Sequence, residues 1–130
     1  LDLLDFANGD PTRAERWATM RCEMGHEAPF HLNRLEIGNE ERVLSPEGYA
    51  AHYKLITDRL LARHPKLIIV ATGRWRGPVH ERAMDGSPCM SGMRCDTWDE
   101  HFYQTAEEMA AMGNHYDAYN RSWPAVMVGE

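Results

Sequence analysis

The sequence predicts an α/β fold whose parallel sheet is curved toward a barrel. Strand candidates begin near positions 32, 67, 97 and 125, with helical segments between them. The spacings of 35, 30 and 28 are close to the roughly 30 residues of a strand–helix–strand unit. Two of these strands also end alike: Leu35-Glu36-Ile37-Gly38-Asn39-Glu40 and Ala125-Val126-Met127-Val128-Gly129-Glu130 each deliver a glutamate after a glycine. In an open sheet, glutamates three strands apart would stand about 14 Å apart at about 4.8 Å per strand. Curvature brings them across one mouth, at the strand ends where such sheets place their chemistry.

Taken in order, residues 1–8 read as the end of an amphipathic helix, stopped by Asn8-Gly9-Asp10-Pro11. Residues 12–24 form a second helical piece, with Trp17, Met20 and Met24 at helical spacing and Gly25 after it. The first strand covers 32–38. Ser45-Pro46-Glu47 starts a helix with a hydroxyl cap, a first-turn proline and an acid facing the dipole. Tyr49, Tyr53, Ile56 and Leu60 share one face of it, and His64-Pro65 closes it. Leu67-Ile68-Ile69-Val70-Ala71 is continuously apolar, as in a strand buried on both faces. Between 73 and 95 the pattern is weak, with a short helix over 79–84 and loop chemistry at Asp85-Gly86-Ser87-Pro88. The third strand, 97–103, is unusually polar; a helix over 107–119 carries a Met109/Met112 core stripe, and the last strand spans 124–129.

A core is available from the 43% hydrophobic content of 130 residues, one domain's worth at most. Net charge is −6 without a basic cluster, which disfavours nucleic acid and anionic membrane as partners. No apolar run approaches the roughly 20 residues that span a bilayer. The chain opens on Leu1-Asp2-Leu3-Leu4 without Met and reads as a piece of something longer. Cys22, Cys89 and Cys95 lack metal spacing; Cys89 and Cys95 could close a small loop, although free thiols are the plainer reading.

Glutamates at two strand tips are the minimum equipment for cleaving a glycosidic bond with retention. An amide beside one of them, Asn39, is a candidate substrate clamp. In an ideal strand Asn39 and Glu40 point to opposite faces, so the strand must bulge or end at Gly38. His101 beside Asp99 and Glu100 suggests a metal cluster, but no second histidine stands at ligand spacing, so neither metal nor cofactor is expected. Trp17, Trp75 and Trp123 read as packing, and Trp98 as either packing or sugar platform.

Six segments occur together in order: Asp5-Phe6-Ala7-Asn8-Gly9, Met24-Gly25-His26-Glu27-Ala28-Pro29-Phe30, Leu35 through Glu40, Asp99-Glu100-His101-Phe102-Tyr103, Tyr116-Asp117-Ala118-Tyr119 and Val128-Gly129-Glu130. This ordered set resembles the family 51 α-L-arabinofuranosidases, retaining glycosidases of clan A built on (β/α)8 TIM barrels. The resemblance implies a partial barrel, about strands 4 to 7 with their helices, all belonging to one catalytic domain. The other strands and the family's β-sandwich are absent from it. It implies Glu40 as acid/base, Glu130 as nucleophile, and Asn39, His101 and Tyr103 as substrate-binding residues, with Tyr103 bonded to the nucleophile. The implied substrate is an arabinose-containing oligo- or polysaccharide, and the parent could be a homo-oligomer. A β-xylosidase or endoglycanase of the same clan, or a non-catalytic carbohydrate-binding fragment, are the rival readings. Glu41-Arg42-Val43 and the stretch 73–96 depart from the family pattern.

Overall fold

The computed structural model describes residues 1–13, 15–40, 45–72 and 92–130, which form two compact units, Leu1–Leu35 and Glu36–Glu130. The expected helix over 79–84 and loop at 85–88, with Trp75 and Cys89, lie outside the described residues. Cys22 is a free thiol, whereas Cys95 is disulfide-bonded, which corrects the plainer reading for that residue.

In the first unit, α1 (Asp2–Asn8) meets α2 (Arg16–Glu23), with a 3-10 turn (Pro11–Arg13) between them. The helix expected over 12–24 is therefore divided. Leu4, Ala7 and Ala18 are buried between the helices, and Gly9 permits their approach. A Cβ on Gly9 would stand 2.7 Å from Glu15 Oε2 and 3.0 Å from Ala18 Cβ, with Asp5 O closer still. Arg21 is fully buried, and its guanidinium donates to the carbonyls of Phe6 (2.7 Å), Gly9 (3.1 Å), His26 (3.1 Å) and Glu27 (3.0 Å). Asn8 binds the main chain of Leu32 in both directions at 2.7 Å, in the manner of a strand partner.

The sheet is ordered β1 (Arg34–Ile37), β2 (Ile68–Thr72), β3 (Thr97–Glu100), β4 (Ala125–Val128). β2 pairs parallel with β3, Val70 opposite Thr97, and β3 pairs parallel with β4, Thr97 opposite Ala125. Asp96 sets the β2–β3 register: its N–H donates to Ile69 O at 3.0 Å and its carboxylate accepts from Ile69 N at 2.9 Å.

Helix α3 (Pro46–Arg63) starts where Ser45 Oγ accepts from Gly48 N at 3.1 Å. It buries Tyr49, Tyr53, Thr57 and Leu60, one helical face, while Ile56 is half-buried. Buried phenols need partners. Tyr49 donates to Thr72 O at 3.2 Å and Tyr53 to Arg94 O at 2.8 Å.

Helix α4 (Ala106–Ala111) begins with a capping box between Thr105 and Glu108. It is shorter than the expected 107–119, because Gly113-Asn114 is poor helix sequence and the chain continues in turns. Met109 is 43% exposed and no residue of α4 is buried, so the Met109/Met112 stripe is not core. The polar third strand is wholly buried instead, Trp98 included, which makes that tryptophan packing.

Replacing Arg21 by Met should strip the guanidinium from four backbone acceptors of the first unit, leaving Glu27 O only the long contact from Cys22 Sγ. Each unsatisfied buried polar group costs about 1–3 kcal/mol. Urea unfolding of the variant should reveal a loss of about 3 kcal/mol or more; an unchanged midpoint would contradict this account of Arg21.

Candidate active site

β1 stops at Ile37, as the glycine predicts, and the chain then turns sharply. Gly38 has φ +86° and Glu40 φ +44°. Left-handed backbone at a non-glycine residue costs on the order of 1 kcal/mol and occurs where surrounding contacts impose it. Here the contacts are made by the carboxylate. Glu40 Oε1 lies 2.9 Å from His101 Nδ1 and accepts a hydrogen bond of 3.1 Å from the Tyr103 hydroxyl. Asn39 is exposed and stands outside this hydrogen-bonded cluster.

The alternation of β3 sorts its polar residues. Asp99 and His101 point to one face, where Asp99 Oδ2 meets His101 Nε2 at 3.1 Å. Glu100 points to the other, accepting from Tyr116 Oη at 2.9 Å and facing His115 Nε2 at 3.2 Å. The turns after α4 are thereby tied to the sheet, and edge-on ring contacts run through Phe102, His115, Tyr116, Tyr119 and Trp123.

β4 ends beside His101. Phe102 N donates to Glu130 O at 2.9 Å, and the Tyr103 hydroxyl makes its closest contact with Glu130 Oε2. His101 Nδ1 is 3.9 Å from Glu130 Oε1. One oxygen of Glu40, one of Glu130 and one nitrogen of His101 all lie within 4.8 Å of one another. The structure thus brings together Glu40, Glu130, His101 and Tyr103.

Both ring nitrogens of His101 face carboxylates, and both can donate only in the imidazolium. Burial opposes that charge, but the hydrogen bonds to Glu40 and Asp99, with the charges of Asp99 and Glu130, outweigh it and raise the pKa. Glu36 on β1 adds a fourth carboxyl. Its pKa is raised by burial first, then by the charge of Asp99 and a hydrogen bond to it. Four carboxyls around one imidazole favour a proton retained among them. The Tyr103 hydroxyl is held protonated mainly by its hydrogen bond to Glu130.

Among the described residues, two groups offer three ligand atoms within 4.8 Å: Glu36, Asp99 and His101, and Glu40, His101 and Glu130. Both use His101, whose nitrogens already face Asp99 and Glu40, so a metal ion in either would displace those hydrogen bonds. The arrangement suits proton sharing better. Sequence reasoning passed over Glu36 and left Asp99 inside a metal reading. The available signal was a charged residue within an apolar strand, and a strand polar on both faces.

The family profile described as alpha-L-arabinofuranosidase 1 domain matches residues 1–121. The chain belongs to that family. Over its whole length it is 32% identical to an extracellular exo-alpha-L-arabinofuranosidase of Streptomyces chartreusis, spanning 15% of that protein. It is 28% identical to alpha-L-arabinofuranosidase 1 of Arabidopsis thaliana, spanning 17%. Among solved structures, the arabinose-bound MgGH51 α-L-arabinofuranosidase superposes with a TM-score of 0.76 at 26% identity, covering 98% of this chain and 18% of that one. A family 51 enzyme of Bifidobacterium longum shares the fold at TM-score 0.60 and 21% identity, covering 93% and 24%. The four-stranded parallel sheet with its helices is therefore part of the (β/α)8 barrel of this arabinofuranosidase family.

The raised groups fix the sign of the pH dependence. His101 stabilises the folded state fully below its unfolded value of about 6.5, and that contribution is lost as pH rises through the raised folded value. Glu36, also raised, penalises folding once pH passes the ordinary carboxylate range. Urea midpoints should fall from about pH 5 to about pH 9, and His101→Asn should flatten the upper part of that decline. A variant with the parental slope would count against a charged His101.

Proposed function

We propose that the protein to which these residues belong is a retaining glycoside hydrolase. It releases terminal α-L-arabinofuranosyl groups from arabinose-containing oligo- and polysaccharides. Residues 1–130 are read as part of its single catalytic barrel domain. The observation that carries the reading is the pair of carboxylates, Glu40 and Glu130, with oxygens within 4.8 Å. Retaining enzymes hold their two carboxyls about 5–5.5 Å apart, whereas inverting enzymes need about 6.5–9.5 Å to admit water between them. The arabinofuranosidase names of the relatives supply the sugar.

In this reading Glu130 attacks the anomeric carbon while Glu40 gives its proton to the departing glycosidic oxygen. Water then attacks the glycosyl ester, Glu40 takes the water's proton, and Glu130 leaves as the carboxylate. The Tyr103 hydroxyl, 67% exposed, donates to Glu130 and borders the sugar. A phenol has one proton, so it serves one carboxylate at a time. His101 is buried and works beneath the sugar through Glu40. Asn39, exposed beside Glu40, is the donor assigned to a sugar hydroxyl.

The 130 residues alone are expected to be inactive. β4 leaves Met127 and Val128 37% and 52% exposed, an apolar strand edge that favours association over a stable pocket.

In the full-length protein, Glu40→Ala should lower kcat on unactivated arabinosides by about 10²–10⁴, the usual contribution of general acid catalysis. Glu130→Gly should be inactive until azide is added, and then yield a glycosyl azide of inverted configuration. Retained activity in Glu130→Gly would sink the assignment, and preference for an aryl xyloside would move the substrate to the rival reading.

A further inference from the structure

The Asp99 carboxylate takes no part in the steps above, yet it touches the neighbours of both reacting glutamates. It is 3% exposed. Its Oδ1 accepts from Gly129 N at 2.7 Å, and its Oδ2 faces His101 Nε2 at 3.1 Å. Gly129 immediately precedes Glu130, and the other nitrogen of that imidazole binds Glu40. We propose that Asp99 is a positioning residue that sets the separation of the Glu40 and Glu130 carboxyls, one oxygen holding each side. The inference rests on the two-glutamate reading and adds to it the part that fixes the distance.

Gly129 supports this independently. A Cβ there would stand 2.6 Å from Asp99 Oδ1 and 2.8 Å from its Cγ, below the 3.0 Å that real Cβ contacts keep. The residue before Glu130 is glycine because the carboxylate occupies the place of a side chain. The same turn is held from below by the Phe102 N–H on Glu130 O. Asp99 is itself anchored, since its backbone lies opposite Met127 in the β3–β4 ladder. Glu36 on β1 brings a carboxylate oxygen within 4.8 Å of Asp99 on the same side. A shift of about 1 Å between reacting groups can cost about 10²-fold in rate.

The test separates positioning from mere structural support. In the full-length enzyme with an activated aryl arabinofuranoside, Asp99→Ala should lower kcat by about 10²-fold. In the Glu130→Gly variant with azide, the external nucleophile no longer depends on Gly129, and an activated aryl group needs little proton assistance. There Asp99→Ala should change the rescued rate by about threefold or less. Asp99→Asn, of the same shape, should fall between parent and Asp99→Ala in kcat with the parental melting profile. An equal loss from Asp99→Ala in both backgrounds would overturn the positioning role, as would parental kcat in Asp99→Ala. Failure of azide to rescue Glu130→Gly at all would instead strike the two-glutamate reading.

Discussion

An imidazole held between carboxylates is the interaction on which the site depends. His101 has Glu40 on one nitrogen and Asp99 on the other, and Glu130 lies 3.9 Å from the first. A buried cation is tolerable only when hydrogen-bonded and paired, and buried carboxylates need the same. The buried His101 and Asp99 thus make each other tolerable inside the sheet. The crowding of acids shows at Glu36, whose pKa is raised by burial and by the charge of Asp99.

That cluster constrains the backbone around it. Glu40 accepts a left-handed conformation to reach His101, and Gly129 gives up any side chain to leave room for Asp99. On the reverse face of β3, Glu100 draws His115 and Tyr116 to the sheet, so the segment after α4 forms turns. One four-residue strand thereby sends polar groups to both sides and remains buried throughout. The functional face and the supporting face are set by the same alternation.

The first unit solves a smaller version of the same problem without acids. Arg21 is satisfied by four main-chain carbonyls, which come from α1, the turn after it and the loop after α2. Asn8 holds the main chain of Leu32, and Gly9 allows the helices to touch.

The sequence by itself determined the α/β class, because apolar runs at regular spacing and strong caps such as Ser45 and Thr105 act locally. It also placed Glu40 and Glu130 at strand tips, since a glycine before a carboxylate marks where a strand can end. Only the tertiary structure decided that Asp99 and Glu36 join the site, because strands far apart in sequence must pair before their side chains meet. It likewise decided that His101 is buried while Tyr103 and Met109 are exposed. Those outcomes depend on what packs against each residue, and hydropathy along one chain carries no record of the neighbour across the sheet.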